Sequence, residues 1–159
     1  MKFRQEMQYD APPAAVRAMV ADPAFREEVC EEQGTLRHDV TITPDGEQLT
    51  VRIELVQPTT GVPAVAKKFV GNETEVVQEE SWHDATSADL KVTIPGKPGS
   101  LVGGIRLEED GDGTRQVIEG DLKVSVPLVA GKLEKVIADL LSSAIRAEER
   151  AGKRWLARG

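Results

Sequence analysis

The chain has 159 residues, 27 acidic and 20 basic, for a formal charge of -7. Hydrophobic residues make up 40% and charged residues 30%, enough for one packed core and too apolar for a disordered chain. The acidic balance excludes nucleic acid and anionic membrane as principal partners, because both require a basic face. The single cysteine, Cys30, excludes an intrachain disulfide and suits a reducing compartment. Residues 1–6 contain no apolar stretch of the kind that opens a secretory signal. No run approaches the ~18 apolar residues of a membrane span, so a cytoplasmic protein without integral membrane association is expected.

Residues 2–9 alternate: Phe3, Gln5, Met7 and Tyr9 share one face, which predicts a half-buried strand. Asp10-Ala11-Pro12-Pro13 breaks it, and the prolines lead into a short helix ending near Val20. Asp22-Pro23 starts a second short helix, with Asp22 as N-cap and Pro23 in the first turn. Phe25 and Val29 lie on its apolar side with Cys30 next to them, and Gly34 closes it. Strands follow over 36–43 and 48–56, joined at Asp45-Gly46, a hairpin turn signal. Pro58, Gly61 and Pro63 interrupt the alternation before a short helix over 64–70. Residues 73–83 and 87–94 form the next alternating pair, and 100–109 and 114–126 the last. Gly103-Gly104 within a strand marks a bend or a close backbone approach.

From about Pro127 to Ala157 the pattern changes to a helix. Leu133, Val136, Ile137, Leu140, Leu141, Ala144 and Ile145 recur at steps of three and four and form one apolar stripe. Thirty residues at the ~1.5 Å helical rise span about 45 Å. The stripe weakens at Glu148 and resumes at Ala151 and Trp155. On this pattern Leu133–Ile145 seals the core, and Glu148–Trp155 supplies lid and mouth contacts together with the loops near Gly61 and Gly96.

The predicted fold is α+β over residues 1–159 as one domain: a curved antiparallel sheet of about seven strands around a long C-terminal helix, with two short helices after the first strand. This order resembles the START-like superfamily (polyketide-cyclase-like, SRPBCC, helix-grip). Three local features carry the resemblance: the Phe3–Asp10 strand running into Pro12-Pro13, the Asp22-Pro23-Ala24-Phe25 helix start, and the glutamate-rich strand ending in Trp82. Within that superfamily the chain is most similar to a bacterial family described only as a domain of unknown function. The resemblance implies a container for lipids, sterols, polyketides or other hydrophobic molecules. Some members are enzymes and others co-chaperones, and fold analogy does not choose among these.

Sorting strand faces gives the candidate site. One face collects Val40, Ile42, Val51, Ile53, Leu55, Leu90, Val92, Leu101, Ile105 and Leu122. Set into the same face are Gln5, Tyr9, His38, Gln78 and Glu80, with Trp82 next in register. An apolar lining with few convergent polar groups is the usual composition of a small-molecule pocket. The expected ligand-binding set is therefore Gln5, Tyr9, His38, Gln78, Glu80, Trp82, Ile105 and Leu122, with Leu140 and Leu141 from the helix, and the expected partner is a small hydrophobic molecule. Two readings of the polar residues stand open: they orient a polar end of the ligand, or they pair with each other as a structural network. In an enzyme of cyclase or hydrolase type, Glu80, His38 and Tyr9 supply acid–base groups. In a protein-interaction module the cavity is filled and the acidic surface docks a partner.

The remaining motifs are weak. Cys30 lies on an apolar stripe, as structural cysteines do. His38 and His83 fall on opposite faces, and no HxxxH or CxxC spacing occurs, so neither metal nor cofactor is expected. Glu108–Gly113 lacks the twelve-residue calcium-loop pattern and its closing glutamate, and reads as a turn.

Overall fold

The computed structural model describes residues 1–159. Eleven elements follow in chain order: β1 (Lys2–Tyr9), α1 (Pro13–Val20), α2 (Pro23–Glu32), β2 (Arg37–Asp45), β3 (Gln48–Pro58), α3 (Ala64–Val70), β4 (Glu73–Trp82), β5 (Ser87–Thr93), β6 (Gly99–Asp110), β7 (Gly113–Val124) and α4 (Ala130–Ala157). The strands make one seven-stranded sheet in the order β1-β7-β6-β5-β4-β3-β2. Every pairing in it is antiparallel. Only the β1–β7 neighbours are distant in sequence, and β1 is carried there by the α1–α2 excursion, which joins β1 to β2 at the opposite edge.

Local chemistry accounts for the element ends. Asp22 accepts a hydrogen bond from the Ala24 amide at 2.9 Å and caps α2, with Pro23 in the first turn. Gly34 after α2 and Gly46 in the β2–β3 turn both take positive φ, the conformation glycine adopts at least cost. Helix α4 starts three residues later than the sequence pattern suggests. Leu128 has φ of 71° and so lies outside the helical region, leaving Val129 as the N-cap.

Gly103 of β6 faces Gly120 of β7. A Cβ at Gly120 would approach the Val102 carbonyl oxygen to 2.5 Å, so the glycine pair marks a close backbone approach. The main core packs the inner sheet face against α1, α2 and the C-terminal half of α4, with Met7, Val16, Val20, Phe25, Val51 and Ala151 fully enclosed. The outer face is laced with exposed ion pairs, including Arg52–Glu79 at 3.3 Å and Arg106–Glu119 at 2.6 Å. These arginines partner the acidic strands, and each exposed pair contributes little stability on its own.

Helix α4 departs from the expected division of labour in its C-terminal half. Leu133 is buried as expected, but so are Ala147, Glu148, Ala151 and Gly152, whereas Leu140 is 45% exposed. The break at Glu148 is not a lid. It is the part of α4 that packs most deeply, and Trp155 beyond it meets Phe25 edge-to-face at 5.6 Å between ring centroids. Residues 137–144 are less covered because an open space lies beside them, although Ile137, Ala138 and Leu141 still touch the core.

Candidate functional site

That space is a cavity of about 370 Å³ between the sheet and the middle of α4. Its sheet wall includes Leu55 from β3, Val76 from β4, Val92 from β5, Leu101 from β6 and Leu122 from β7. Helix α4 contributes Ile137, Leu140, Leu141, Ser143, Ala144 and Ala147. The segment from Pro58 to Val62 and residues Ala66 and Val70 of α3 close one side. The expected loop around Gly61 thus borders the cavity through Pro58, Thr59 and Val62, whereas residues 95–98 of the loop around Gly96 do not. Arg150 and Glu32 also line the cavity, 3.8 Å apart, with the arginine side chain 59% exposed. They therefore stand where the cavity meets solvent.

Deeper inside lies a recess of about 50 Å³. Gln33, Gln78, Val92, Leu101, Leu141 and Ala144 line both spaces, so the recess continues the cavity inward. The recess adds Glu80, Gln116 and Glu148 to an otherwise aliphatic wall of Leu90, Ile105, Ile118 and Ile145.

Glu80 belongs to a closed polar network. Arg26 Nη2 donates to its Oε1 at 2.7 Å and Arg26 Nη1 to its Oε2 at 3.0 Å. Trp82 Nε1 donates to Oε1 at 3.0 Å, and Gln78 Nε2 to Oε2 at 2.6 Å. Arg26 Nε donates to the Val20 carbonyl at 2.8 Å, so each guanidinium nitrogen is engaged. The Arg26 and Glu80 side chains are 2% and 1% exposed. A bidentate, fully hydrogen-bonded geometry is what keeps such a buried pair tolerable. The Arg17 guanidinium lies 5.1 Å above the Trp82 ring and completes the layer.

Glu148 is the outlying carboxyl. Burial pushes its pKa up to about 7; Arg26 counteracts this and Glu80 adds to it. Burial also raises the Tyr9 hydroxyl well above its ordinary range, with Glu148 adding to the effect. The Cys30 thiol is raised to about 11, again chiefly by burial, which suppresses the nucleophilic thiolate.

The expected site residues divide into two groups. Gln78, Glu80, Ile105, Leu122, Leu140 and Leu141 line the cavity or its recess. Gln5, Tyr9, His38 and Trp82 line neither. Tyr9 donates its hydroxyl to Met7 Sδ at 3.3 Å. His38 is held by Glu27 through Nε2, and its Nδ1 lies 3.0 Å from Thr35 Oγ1. The acid–base set Glu80, His38 and Tyr9 therefore does not converge: one member is saturated by four donors, one faces α2, and one sits under α4 against Gly152. Nor is the cavity filled by side chains, as the interaction-module reading requires. The sequence pattern missed Arg26, Gln116 and Glu148. Arg26 was visible in one respect, standing four residues before Cys30 on the buried side of α2.

Residues 4–156 match the family model described as "Protein of unknown function (DUF2505)". The chain belongs to this family. No match was found among curated proteins. Among solved structures, TTHA0849 from Thermus thermophilus superposes with a TM-score of 0.66 at 19% identity, over 97% of this chain and 95% of that one. A START superfamily protein from Mycobacterium smegmatis gives a TM-score of 0.65 at 12% identity, over 97% and 98% of the two chains. Dicamba monooxygenase bound to 3,6-dichlorosalicylic acid gives 0.58 at 13% identity, over 99% of this chain and 49% of that one. At these identities the likeness is one of fold. The DUF2505 chain has the START-like helix-grip fold, with a long C-terminal helix across a curved antiparallel sheet. No helix in it is long and apolar enough to cross a membrane.

Proposed function

We propose that this DUF2505 chain binds a small, mostly apolar molecule non-covalently between α4 and the sheet. The supporting observation is the open cavity of about 370 Å³ whose wall is built from aliphatic side chains of β3 to β7 and α4. A well-packed domain leaves few voids larger than a water molecule, so an apolar space of this size calls for an occupant. Burying about 200 Å² of apolar ligand surface contributes roughly 5 kcal/mol before the entropic costs of association. The Arg26–Glu80–Gln78–Trp82 network then serves as a rigid floor rather than as acid–base machinery. Its carboxylate has no open position for a proton transfer partner, which favours carriage over catalysis.

Native mass spectrometry of freshly purified protein tests this reading. A co-purifying apolar adduct, or one-to-one uptake of an added aliphatic compound, is the expected result. Persistent absence of both would refute it.

A further inference from the structure

Five polar side chains line the inner recess: Gln33, Gln78, Glu80, Gln116 and Glu148. Three of them are engaged elsewhere. Gln33 Nε2 donates to the Ala144 carbonyl at 3.0 Å, Gln78 Nε2 donates to Glu80, and Glu80 accepts from Arg26, Gln78 and Trp82. Gln116 is different. It is 2% exposed, and its buried Oε1 has no hydrogen-bond partner. A buried acceptor left unpaired is costly, and native proteins rarely tolerate one without a water, an ion or a ligand to answer it.

The rest of the recess restricts what that partner is. The guanidinium of Arg26 is already neutralised by Glu80, and the second carboxyl, Glu148, offers no positive charge. An anionic end entering here would meet two carboxyl groups and no free cation, and a cationic end would find as its only unpaired counter-ion Glu148, whose carboxyl burial biases toward the neutral form. The recess holds about 50 Å³ within a mostly aliphatic wall, which suits one small polar group and disfavours a heavily hydrated one such as a phosphodiester or a sugar.

We infer that the recess is a subsite for the hydroxyl of a neutral aliphatic alcohol, which donates to Gln116 Oε1 while the alkyl body fills the outer cavity. The inference rests on the cavity-binding reading above and adds the polarity and direction of the ligand.

The test uses 1-decanol and, as a chain-matched anion, decanoate at neutral pH. In the unmodified protein, the carbinol protons of bound decanol should show nuclear Overhauser contacts to the methyl groups of Ile118 and Ile145, which line only the recess. In Gln116→Leu, decanol affinity should fall about five- to tenfold, as expected for loss of one hydrogen bond, with decanoate affinity changed less than about twofold. Contacts from the carbinol to Val62 and Leu140, which line only the outer cavity, would overturn the subsite while leaving the cavity reading intact. Equal losses for both probes in the variant, or no loss for either, would do the same. Failure of decanol to bind at all would overturn both readings.

Discussion

Tyr9 of β1 and Gly152 of α4 are matched in shape: a Cβ at Gly152 would lie 2.6 Å from Cε1 of the Tyr9 ring. The ring is 2% exposed and its hydroxyl is committed to Met7, so it has nowhere to retreat. This contact seats the C-terminal half of α4 on the sheet and leaves the middle of the helix to span the cavity. Glycine in a helix interior costs about 1 kcal/mol in propensity, which the close approach offsets.

Gly152→Ala should therefore destabilise the protein by about 1–3 kcal/mol despite its better helix propensity. Gly131→Ala, where nothing lies within 4 Å of the added carbon, should be neutral or mildly stabilising. Denaturant unfolding of both variants decides the matter. A Tyr9→Leu background, which removes the ring, should relieve much of the penalty at position 152.

The buried pair of Arg26 and Glu80 should behave as a unit. Arg26→Met or Glu80→Leu alone leaves one unpaired charge and should cost about 3–5 kcal/mol. The double variant removes both charges and should recover most of that loss. Its coupling energy in a double-mutant cycle is the measurement. Losses that simply add would mean that the two residues are not the interacting pair described here.

Glu148 gives stability a specific pH dependence. Its carboxyl rises from the ordinary value of 4.5 to about 7 in the folded chain. Below the lower value it is protonated in both states and contributes no difference. Between the two values the unfolded chain ionises while the folded chain holds its proton, so stability falls as pH rises. The fall reaches roughly 3 kcal/mol above pH 7, taking about 1.4 kcal/mol per pH unit. Besides burial, the groups that act on it are Arg26 of α2, which lowers it, and Glu80 of β4, which raises it. Glu148→Gln should flatten that part of the profile, gaining stability over the unmodified protein at pH 8 and little at pH 4. Chemical denaturation across that range checks the sign.

These residues also show where sequence reading succeeds and fails. Period-two alternation locates every strand, because one face of each is buried, or in β2 half-buried, and a one-residue slip would reverse it. Asp22-Pro23 and Asp45-Gly46 marked a helix start and a turn because each has a local backbone cause. Gln78 and Glu80 were legible as inward-facing polar residues by parity alone. Arg26 shares a helix side with Cys30, but a charged residue in a short glutamate-rich helix reads as solvent-exposed until β4 supplies its partner 54 positions away. Glu148 stands at a weak point in the α4 stripe, and its depth is hidden from the sequence because periodicity reports polarity, not depth. His38 shares the inward parity of β2, yet the position of α2 diverts it to Glu27. Pairings across distant elements carry no local signal.

Binding between α4 and the sheet is tested by a fluorescence titration with N-phenyl-1-naphthylamine, comparing the unmodified protein with Ala144→Trp. Ala144 lines both the cavity and its recess, so a tryptophan there fills the space from α4. Saturable one-to-one binding to the unmodified protein is expected, with at least about a tenfold loss in the variant, roughly 1.4 kcal/mol, and the fold retained by circular dichroism. Equal binding to both proteins, or no saturable binding to the unmodified one, would contradict binding there.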